Sequence, residues 1–400
     1  MADSTAGEAQ MKYANVCGEK ISMLAFGTMR MPMKDGKLDQ EQIQAMTDYA
    51  MENGVNYFDT AWPYHDGMSE VSIGKALAKY PRESYFLADK YPGHQVMSDY
   101  DPTKIFEKQL EKCGVEYFDF YLLHNINEMC IDVYRDAKWD ILNYFIEQKK
   151  NGRIKHLGLS THARAKNVPE MLDYMGDNVE FCQIQLNYID WTLQEAKEKV
   201  DELNKRGIPI WVMEPVRGGK LADLGEERND KLKSLRPDDS IAAWSFRWLL
   251  NVPGVAVILS GMSNMEQMKD NVKTFTGGEP LNQDEFNLLL DIAEELKVGV
   301  PCTRCSYCCE GCPQGLNIPE LITGYNDLKY QNGVTVGIQM DGTPKDKWPD
   351  QCIGCGACAK VCPQKIDIPA VLKEFSEMLS SNKSWTEICK DREAAAAKLG

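Results

Sequence analysis

A cysteine motif that occurs twice near the end of the chain constrains its fold more than any other feature of the sequence. The motif is C-x2-C-x2-C-x3-C-P, and its two copies begin at Cys302 and Cys352. The residues from the last cysteine of each copy onward are also similar: the first copy continues as CPQGLNIPELI and the second as CPQKIDIPAVL. Nine of the 14 cysteines fall between Cys302 and Cys362. Such crowding in a chain of 400 residues indicates metal binding rather than disulfide cross-linking.

The spacing of these cysteines resembles that of bacterial-type dicluster ferredoxins, which bind two [4Fe–4S] clusters. Zinc sites use two separated C-x2-C pairs, whereas three thiolates in one tight run followed by a C-P cysteine suit an iron–sulfur cluster. In two-cluster proteins of this kind, the fourth cysteine of each run ligates the other cluster. Cluster I is therefore predicted to bind to Cys302, Cys305, Cys308 and Cys362. Cluster II is predicted to bind to Cys352, Cys355, Cys358 and Cys312.

Residues 300–400 as a whole are predicted to form a mainly helical, ferredoxin-like iron–sulfur domain with a helical tail. Pro319–Tyr330 is helix-like and separates the two cysteine runs. Cys309 has an alanine as its counterpart in the second run, so it is expected to be a bystander. Cys389 is expected to pack within the tail. The stretch Gly333–Asp350 is predicted to loop outward.

The first three hundred residues alternate short apolar or β-branched runs with amphipathic segments, which indicates repeated βα units. The predicted strands are Ile21–Thr28, Tyr57–Thr60, Tyr85–Lys90, Phe118–His124, Ile154–Ser160, Phe181–Asn187, Ile208–Met213 and Val255–Ser260. The predicted helices include Gln40–Glu52, Thr103–Cys113, Asp140–Lys150, Leu193–Lys205, Ser240–Leu250 and Met265–Thr274. Eight strands with intervening helices fit an α/β fold of the (β/α)8 TIM-barrel type, which makes residues 1–299 one domain.

Two further observations bear on this domain. No G-x-G-x-x-G follows a predicted strand, which argues against a doubly wound dinucleotide-binding sheet. Residues 11–20 are predicted to form a hairpin ahead of the first strand. Some other α/β fold is the alternative to the barrel.

Polar residues at the strand ends predict where the chemistry lies. In a TIM barrel, active-site side chains come from the C-terminal ends of the strands. Asp59, Lys90, His124 and Ser160 each lie at the end of an otherwise apolar run. Because burying such groups without partners is costly, we expect them to face one another across the barrel mouth.

Residues 14–300 resemble the aldo-keto reductase family in the motifs that carry these residues. The matching segments are FDTAWPYHDGMSEVSIGKAL, ADK, FDFYLLHN, GRIKHLGLST, CQIQLNY and EPVRGGKL. The resemblance implies hydride transfer between a nicotinamide and a small carbonyl or alcohol substrate. It also implies four catalytic residues, Asp59, Tyr64, Lys90 and His124.

The chemistry of carbonyl reduction explains these four residue types. Tyr64 can donate the proton, and a neighbouring Lys90 ammonium is expected to bring the pKa of the phenol toward neutrality. Asp59 keeps Lys90 charged and in place. His124 is expected to donate a hydrogen bond to the carbonyl oxygen. The alternative is a degenerate barrel that kept these residues and lost the activity.

The resemblance also implies cofactor contacts by Ser160, Gln183, Met213, Arg217 and Gly219. The first two match positions that hold the nicotinamide carboxamide, and Met213 replaces the usual aromatic residue on the ring. Arg217 and Lys220, on the glycine-bearing loop after the seventh predicted strand, either contact the pyrophosphate or are solvated.

The segment Leu259–Asn271 corresponds to the family's adenosine-phosphate region. The family often has a cation there for a 2′-phosphate, but this chain has Gly261 and Gln267 in those places. NAD(H) is therefore predicted over NADP(H), with flavin as an alternative cofactor for an altered pocket.

The charge of the chain excludes some partners. It has 60 acidic and 45 basic side chains and a net charge of −15, which disfavours nucleic acid and anionic membranes. No apolar run approaches the roughly 18 residues of a membrane span. The N-terminal MADSTAGEAQ does not have the pattern of a signal peptide, so a cytoplasmic location is expected.

Three functions remain open from the sequence. The chain is expected to be an oxidoreductase whose clusters exchange electrons with a ferredoxin-like carrier during carbonyl chemistry. Alternatively, it is an NADH-dependent carbonyl reductase with structural or sensory clusters, or a non-catalytic electron-transfer or redox-sensing subunit. The predicted outward loop carries Lys345, Lys347 and Trp348, which either receive an acidic carrier or form a plain surface loop.

Overall fold

The computed structural model describes residues 10–296, 299–302, 304–330 and 334–397. These residues form two compact units, one within residues 10–294 and the other within Glu295–Ala394. The strands of the described residues all belong to the first unit. They are β1 Tyr13–Val16, β2 Glu19–Ser22, β3 Leu24–Gly27, β4 Met33–Lys34, β5 Lys37–Leu38, β6 Tyr57–Asp59, β7 Phe86–Tyr91, β8 Phe118–Leu123, β9 Ile154–Thr161, β10 Cys182–Gln185, β11 Ile210–Met213 and β12 Val255–Ser260.

Eight of these strands close into a parallel barrel, which confirms the predicted fold. Their order around the barrel is β3-β6-β7-β8-β9-β10-β11-β12, so each strand pairs with its neighbour in the chain. The interior is filled by side chains that include Tyr57, Phe120, Phe181 and Trp211. The predicted hairpin is β1 paired with β2, two residues further along the chain than expected.

Helices surround the barrel and follow the predicted amphipathic segments closely. They are α1 Gln40–Glu52, α2 Ser69–Leu77, α3 Pro102–Cys113, α4 Ile131–Arg135, α5 Ile141–Lys150, α6 Val168–Met175, α7 Asp190–Leu193, α8 Ala196–Lys205, α9 Glu226–Leu235, α10 Ile241–Leu250, α11 Met265–Thr276 and α12 Gln283–Leu296. Side chains of Asp39, Asp101, Ser240 and Asn264 cap four of them by accepting backbone N–H bonds, as short polar residues do. The single predicted helix Leu193–Lys205 is wrong, because Glu195 adopts a left-handed φ of 52° between α7 and α8.

The second unit is helical in its described residues. Its helices are α13 Tyr307–Glu310, α14 Ile318–Tyr330, α15 Val334–Asp341, α16 Ala357–Val361, α17 Ile368–Ser380 and α18 Trp385–Ala397. The outward loop predicted over Gly333–Asp350 is wrong, because α15 occupies much of it and buries Val336 and Met340 in the core of the unit. Cys389 is 2% exposed within α18, as its expected packing role requires.

No helix among the described residues is both long enough and apolar enough to cross a membrane.

Candidate functional site

The C-terminal ends of neighbouring barrel strands bring three of the four predicted catalytic residues into contact. Lys90 lies at the end of β7, and its Nζ is 2.5 Å from Asp59 Oδ1 at the end of β6. The same Nζ donates to the backbone oxygen of Thr60 at 2.6 Å and lies 5.0 Å from the centre of the Tyr64 ring. Lys90 is fully buried, so its charge is compensated by this carboxylate and carbonyl rather than by water.

His124 joins the group from the loop after β8. Its ring meets the Tyr64 ring edge-on, with centroids 6.1 Å apart. The backbone of His124 is fixed on both sides, since its N–H donates to Tyr91 and its carbonyl accepts from the Tyr134 hydroxyl at 2.6 Å. The four predicted catalytic side chains therefore form one cluster at the barrel mouth.

Buried hydroxyl groups hold the segment that carries Asp59. The Thr28 hydroxyl donates to the carbonyl of Asp59 at 2.9 Å and shares a 2.6 Å hydrogen bond with Ser69. Ser69 in turn bonds the Thr60 hydroxyl at 2.9 Å. Because these contacts tie α2 to the ends of β3 and β6, the position of Asp59 depends on the barrel scaffold rather than on a mobile loop.

Burial and charge act in opposite directions on the ionisable groups of this cluster. Burial disfavours the charged form of Lys90, but the Asp59 carboxylate and the Tyr64 phenol outweigh it and raise the pKa of Lys90. Burial raises the pKa of Asp59, with Lys90 opposing. Burial also raises the pKa of Tyr64, and Lys90 offsets only part of this rise. The phenol therefore keeps its proton, contrary to the expectation that Lys90 would bring its pKa toward neutrality.

A cleft of about 270 Å³ opens beside Asp59 and Tyr64 and extends over the ends of β3, β10, β11 and β12. Gln183, Met213 and Gly219, three of the predicted cofactor residues, line it. Gln183 Oε1 is buried and has no hydrogen-bond partner among the described residues. A carboxamide N–H₂ would satisfy this acceptor, so the cleft fits a nicotinamide at this position.

Two predicted cofactor residues do not line the cleft. Ser160 Oγ accepts a 2.8 Å hydrogen bond from the backbone N–H of Asn125. Arg217 is buried, and its Nη2 lies 3.4 Å from Asp190 Oδ1. The Ser160 hydroxyl can still donate its own hydrogen, whereas Arg217 would have to turn away from Asp190, and the cofactor contacts of both residues stay predictions.

Arg30 is a residue of the cleft that the sequence reasoning missed. It follows β3 in a 3-10 turn, Thr28–Arg30, and is the one cationic side chain among the described residues that line the cleft. Its guanidinium pairs with Glu214 at 3.5 Å and lies next to Gly218. A cation beside a glycine loop can bind a phosphate. The sequence signal that could have located Arg30 in the cleft is its position three residues after the end of a barrel strand.

The far end of the cleft lies beside α11 and contains Gly261, Gln267 and Asp270. The Ser240 hydroxyl bonds Asp270 Oδ2 at 2.5 Å, which fixes a carboxylate at this end. Lys269 does not line the cleft, and its Nζ lies 5.9 Å from the centre of the Tyr49 ring. This end therefore presents an anion and an amide to a ligand.

In the second unit, cysteines of both runs border one cavity. Cys302, Cys305, Cys308 and Cys362 line it together with apolar side chains such as Ile322. Within the described ranges, no three His, Cys, Asp or Glu side chains converge as the ligands of a single metal ion do. Thiols spread around an apolar cavity fit a [4Fe–4S] cluster, in which each iron takes its own thiolate.

The two cysteine runs have the same local structure. Cys308 lies in α13 and Cys358 in the matching helix α16, and the two helices contact each other. Both cysteines are 7% exposed and belong to the apolar core of the unit. Cys309 packs against the same core, beside Cys308, and is not among the residues that line the cavity.

Comparison with known proteins decides the family. Residues 23–294 match the family model described as the aldo/keto reductase family. The chain belongs to the aldo/keto reductase family. Residues 301–366 match the model of a 4Fe-4S dicluster domain, so this reductase-type barrel is followed by an iron–sulfur domain. The family makes the chain an oxidoreductase.

Individual relatives are distant. The NADH-specific methylglyoxal reductase of Escherichia coli is 24% identical over 323 residues, which cover 69% of this chain and 96% of that protein. The L-galactose dehydrogenase of Arabidopsis thaliana is 23% identical and covers 68% of this chain and 89% of its own length. Among solved structures, the holo form of aldo-keto reductase AKR11C1 from Bacillus halodurans is 25% identical, with a TM-score of 0.58 over 71% of this chain and 96% of that one.

Proposed function

We propose that the barrel catalyses nicotinamide-dependent redox chemistry of a small carbonyl or alcohol, coupled to electron transfer through two [4Fe–4S] clusters in the second unit. The observation that carries the first part is the buried Lys90–Asp59 ion pair against the Tyr64 ring. A buried lysine is costly unless its partners are in place, so its presence at the barrel mouth argues for a retained catalytic role.

The residues of the chain supply the proton and orient the substrate. Tyr64 donates its phenolic proton to the carbonyl oxygen, and the Lys90 ammonium stabilises the phenolate that remains. Asp59 holds that ammonium in position. His124, whose ring lies edge-on to that of Tyr64, donates a hydrogen bond to the same oxygen. A nicotinamide bound in the cleft would supply the hydride.

We infer that NAD(H) is preferred over NADP(H). The far end of the cleft offers the Asp270 carboxylate and Gln267 rather than a guanidinium, and a carboxylate repels a 2′-phosphate. Arg30 lies next to the glycine loop instead and fits the pyrophosphate. The E. coli relative is named as NADH-specific, which agrees with this inference.

The clusters are proposed to pass single electrons to or from a carrier protein. Their cysteine runs share one spacing and one local structure, and two adjacent clusters suit a relay, whereas one would be enough to stabilise a small domain. A hydride carries two electrons and each cluster accepts one. We propose that the group that divides the pair lies in the barrel, where a flavin is the alternative cofactor.

The phenylalanine variant of Tyr64 tests the barrel chemistry. Tyr64→Phe is expected to lower kcat for NADH-dependent reduction of methylglyoxal at least about 100-fold, because general acid catalysis typically contributes this much. Tyr144→Phe, on the outer helix α5, is the matched control and should keep full activity. NADH binding should be the same in both variants. Full activity of Tyr64→Phe would refute the assignment of the acid.

A further inference from the structure

The two cysteine runs have the same left-handed backbone positions, but different residues occupy them. Three such positions recur in both runs. In the second run they include Gly354 and Gly356, with φ of 69° and 70°, whereas the first run has Arg304 and Ser306 there, with φ of 55° and 63°. At the third position the order is reversed, with glycine in the first run and Lys365, at φ 53°, in the second.

Left-handed backbone favours glycine, so the two cations do not follow from the fold itself. A side chain at such a position is disfavoured by contact of its Cβ with the backbone. The counterparts Gly354 and Gly315 show that this domain folds with glycine at both positions. The backbone conformation therefore does not explain why Arg304 and Lys365 occupy these positions.

Both cations lie beside the cavity of cluster I. Its lining residues include Cys305 and Ser306, which directly follow Arg304 in the chain, and Gln364 and Ile366, which flank Lys365. The equivalent positions beside the cluster II cysteines are the glycines. At these two backbone positions the charged side chains therefore lie on the cluster I side. On the other side, the ammonium of Lys347 bonds the carbonyl of Gln314 next to Gly315.

Exposed apolar side chains lie on the short helices of the two runs. Tyr307 on α13 is 60% exposed and Val361 on α16 is 50% exposed, and the two helices contact each other. Lys360 is exposed next to Val361, and neither it nor Lys365 forms an ion pair with any described residue. We call the group Arg304, Tyr307, Lys360, Val361 and Lys365 the cluster I surface.

The charge of this surface is opposite to that of the chain. The five residues of the cluster I surface include three cations and no carboxylate, whereas Glu310 lies within residues 301–315, and Asp350 and Asp367 directly border residues 351–366. The whole chain has a net charge of −15. A small apolar centre with a basic rim is complementary to an acidic protein, and it is the kind of surface that forms brief electron-transfer encounters.

We propose that the cluster I surface docks a small acidic one-electron carrier protein, which makes cluster I the entry or exit point for electrons. The proposal rests on the proposed function, in that the two cysteine runs bind clusters. In the step, one electron leaves the reduced carrier and enters a cluster. The carrier is oxidised and the cluster reduced by one electron each, and no bond or proton is exchanged.

Replacement of the two cations by the glycines of the equivalent positions tests the proposal without stressing the fold. The full-length protein with reconstituted clusters is mixed anaerobically with a small acidic ferredoxin, reduced beforehand and freed of reductant. Stopped-flow absorbance gives the second-order rate of cluster reduction. The control variant Lys373→Gln/Lys390→Gln removes two exposed lysines from the same unit.

The double variant Arg304→Gly/Lys365→Gly is expected to slow this rate about five- to tenfold at low salt, while the control changes it less than about twofold. The difference should shrink in about 0.5 M salt because screening removes the attraction. Dithionite should reduce the clusters of all variants equally. Equal carrier rates in the two variants, or no reduction by the carrier of clusters that dithionite reduces, would overturn the docking surface alone. Absence of any cluster that dithionite reduces would overturn the proposed electron transfer and the docking surface with it.

Discussion

Tyr64 is the residue whose protonation sets the pH range of the proposed reaction. Burial raises the pKa of its phenol above the usual value, which is about 10. The protonated form that donates to the carbonyl is therefore fully present below this raised pKa and is lost only as the pH rises through it. Reduction should not lose rate through Tyr64 between about pH 6 and 10.

The measurement is kcat/KM for carbonyl reduction across that range, with NADH binding followed in parallel to separate effects on the cofactor. A descending limb near neutrality that persists at saturating NADH would contradict the burial argument. It would mean that Lys90 outweighs burial, as the sequence reasoning expected.

Other residues show where sequence reasoning succeeds at this scale. Asp59, Lys90 and His124 could be located because each ends an apolar strand, and strand ends meet at the barrel mouth. Arg30 and Asp270 could not, since their place in the cleft depends on how a turn after β3 and the helix α11 approach each other. Arg217 shows a different limit, because its charge suggested a phosphate contact or a solvated loop, whereas its side chain is buried against Asp190 and its contact with a cofactor stays a prediction.

At the scale of elements, a glycine in α15 tests whether this segment is helical or forms the loop that the sequence predicted. Gly337 lies in the middle of this helix, and a Cβ added there would meet only the Trp385 backbone N, at an ordinary 3.8 Å. Gly337→Ala should therefore raise the stability of the second unit by about 0.5–1 kcal/mol, because alanine loses less backbone freedom on folding.

The comparison variant is Gly324→Ala in α14, where the added Cβ would lie 3.0 Å from the Phe375 ring. It should gain less or lose stability, since that neighbour must move. Urea unfolding of the cluster-loaded protein, followed by cluster absorbance, measures both. Loss of stability in Gly337→Ala would contradict the helical assignment of α15.

Helices and strands with a clear apolar periodicity could be predicted from the sequence, whereas those that depend on packing against the rest of the unit could not. The helix α1 and the strand β12 have the predicted bounds, because their apolar periodicity and flanking polar residues agree. The predicted loop Gly333–Asp350, which includes α15, contains three glycines and many polar residues, and this composition suggested a loop. Burial of Val336 and Met340 against the rest of the unit outweighs that local tendency, and such packing cannot be read from the segment alone.

At the scale of the whole molecule, the ligand sets of the two clusters are predicted to cross between the runs. Cys362 belongs to the second run but lines the cavity of the three first-run cysteines. Cys362→Ser and Cys305→Ser should therefore perturb the same cluster, whereas Cys358→Ser should perturb the other. Cys309→Ser is the control and should leave both clusters intact.

Iron content and the EPR spectra of the reduced variants distinguish these sets. The two cluster I variants should share one altered signal and keep the other. If Cys362→Ser instead altered the same signal as Cys358→Ser, each run would ligate its own cluster and the crossed assignment would be wrong.

The central claim is that barrel and clusters belong to one redox system. An anaerobic titration of the full-length, reconstituted protein with NADH tests it most directly, with cluster absorbance and EPR as readouts and NADPH as the comparison. The account predicts that NADH bleaches the clusters and produces the EPR signal of reduced [4Fe–4S], and that NADPH does so only at higher concentration. Unchanged clusters, in protein that binds NADH and whose clusters dithionite reduces, would contradict it.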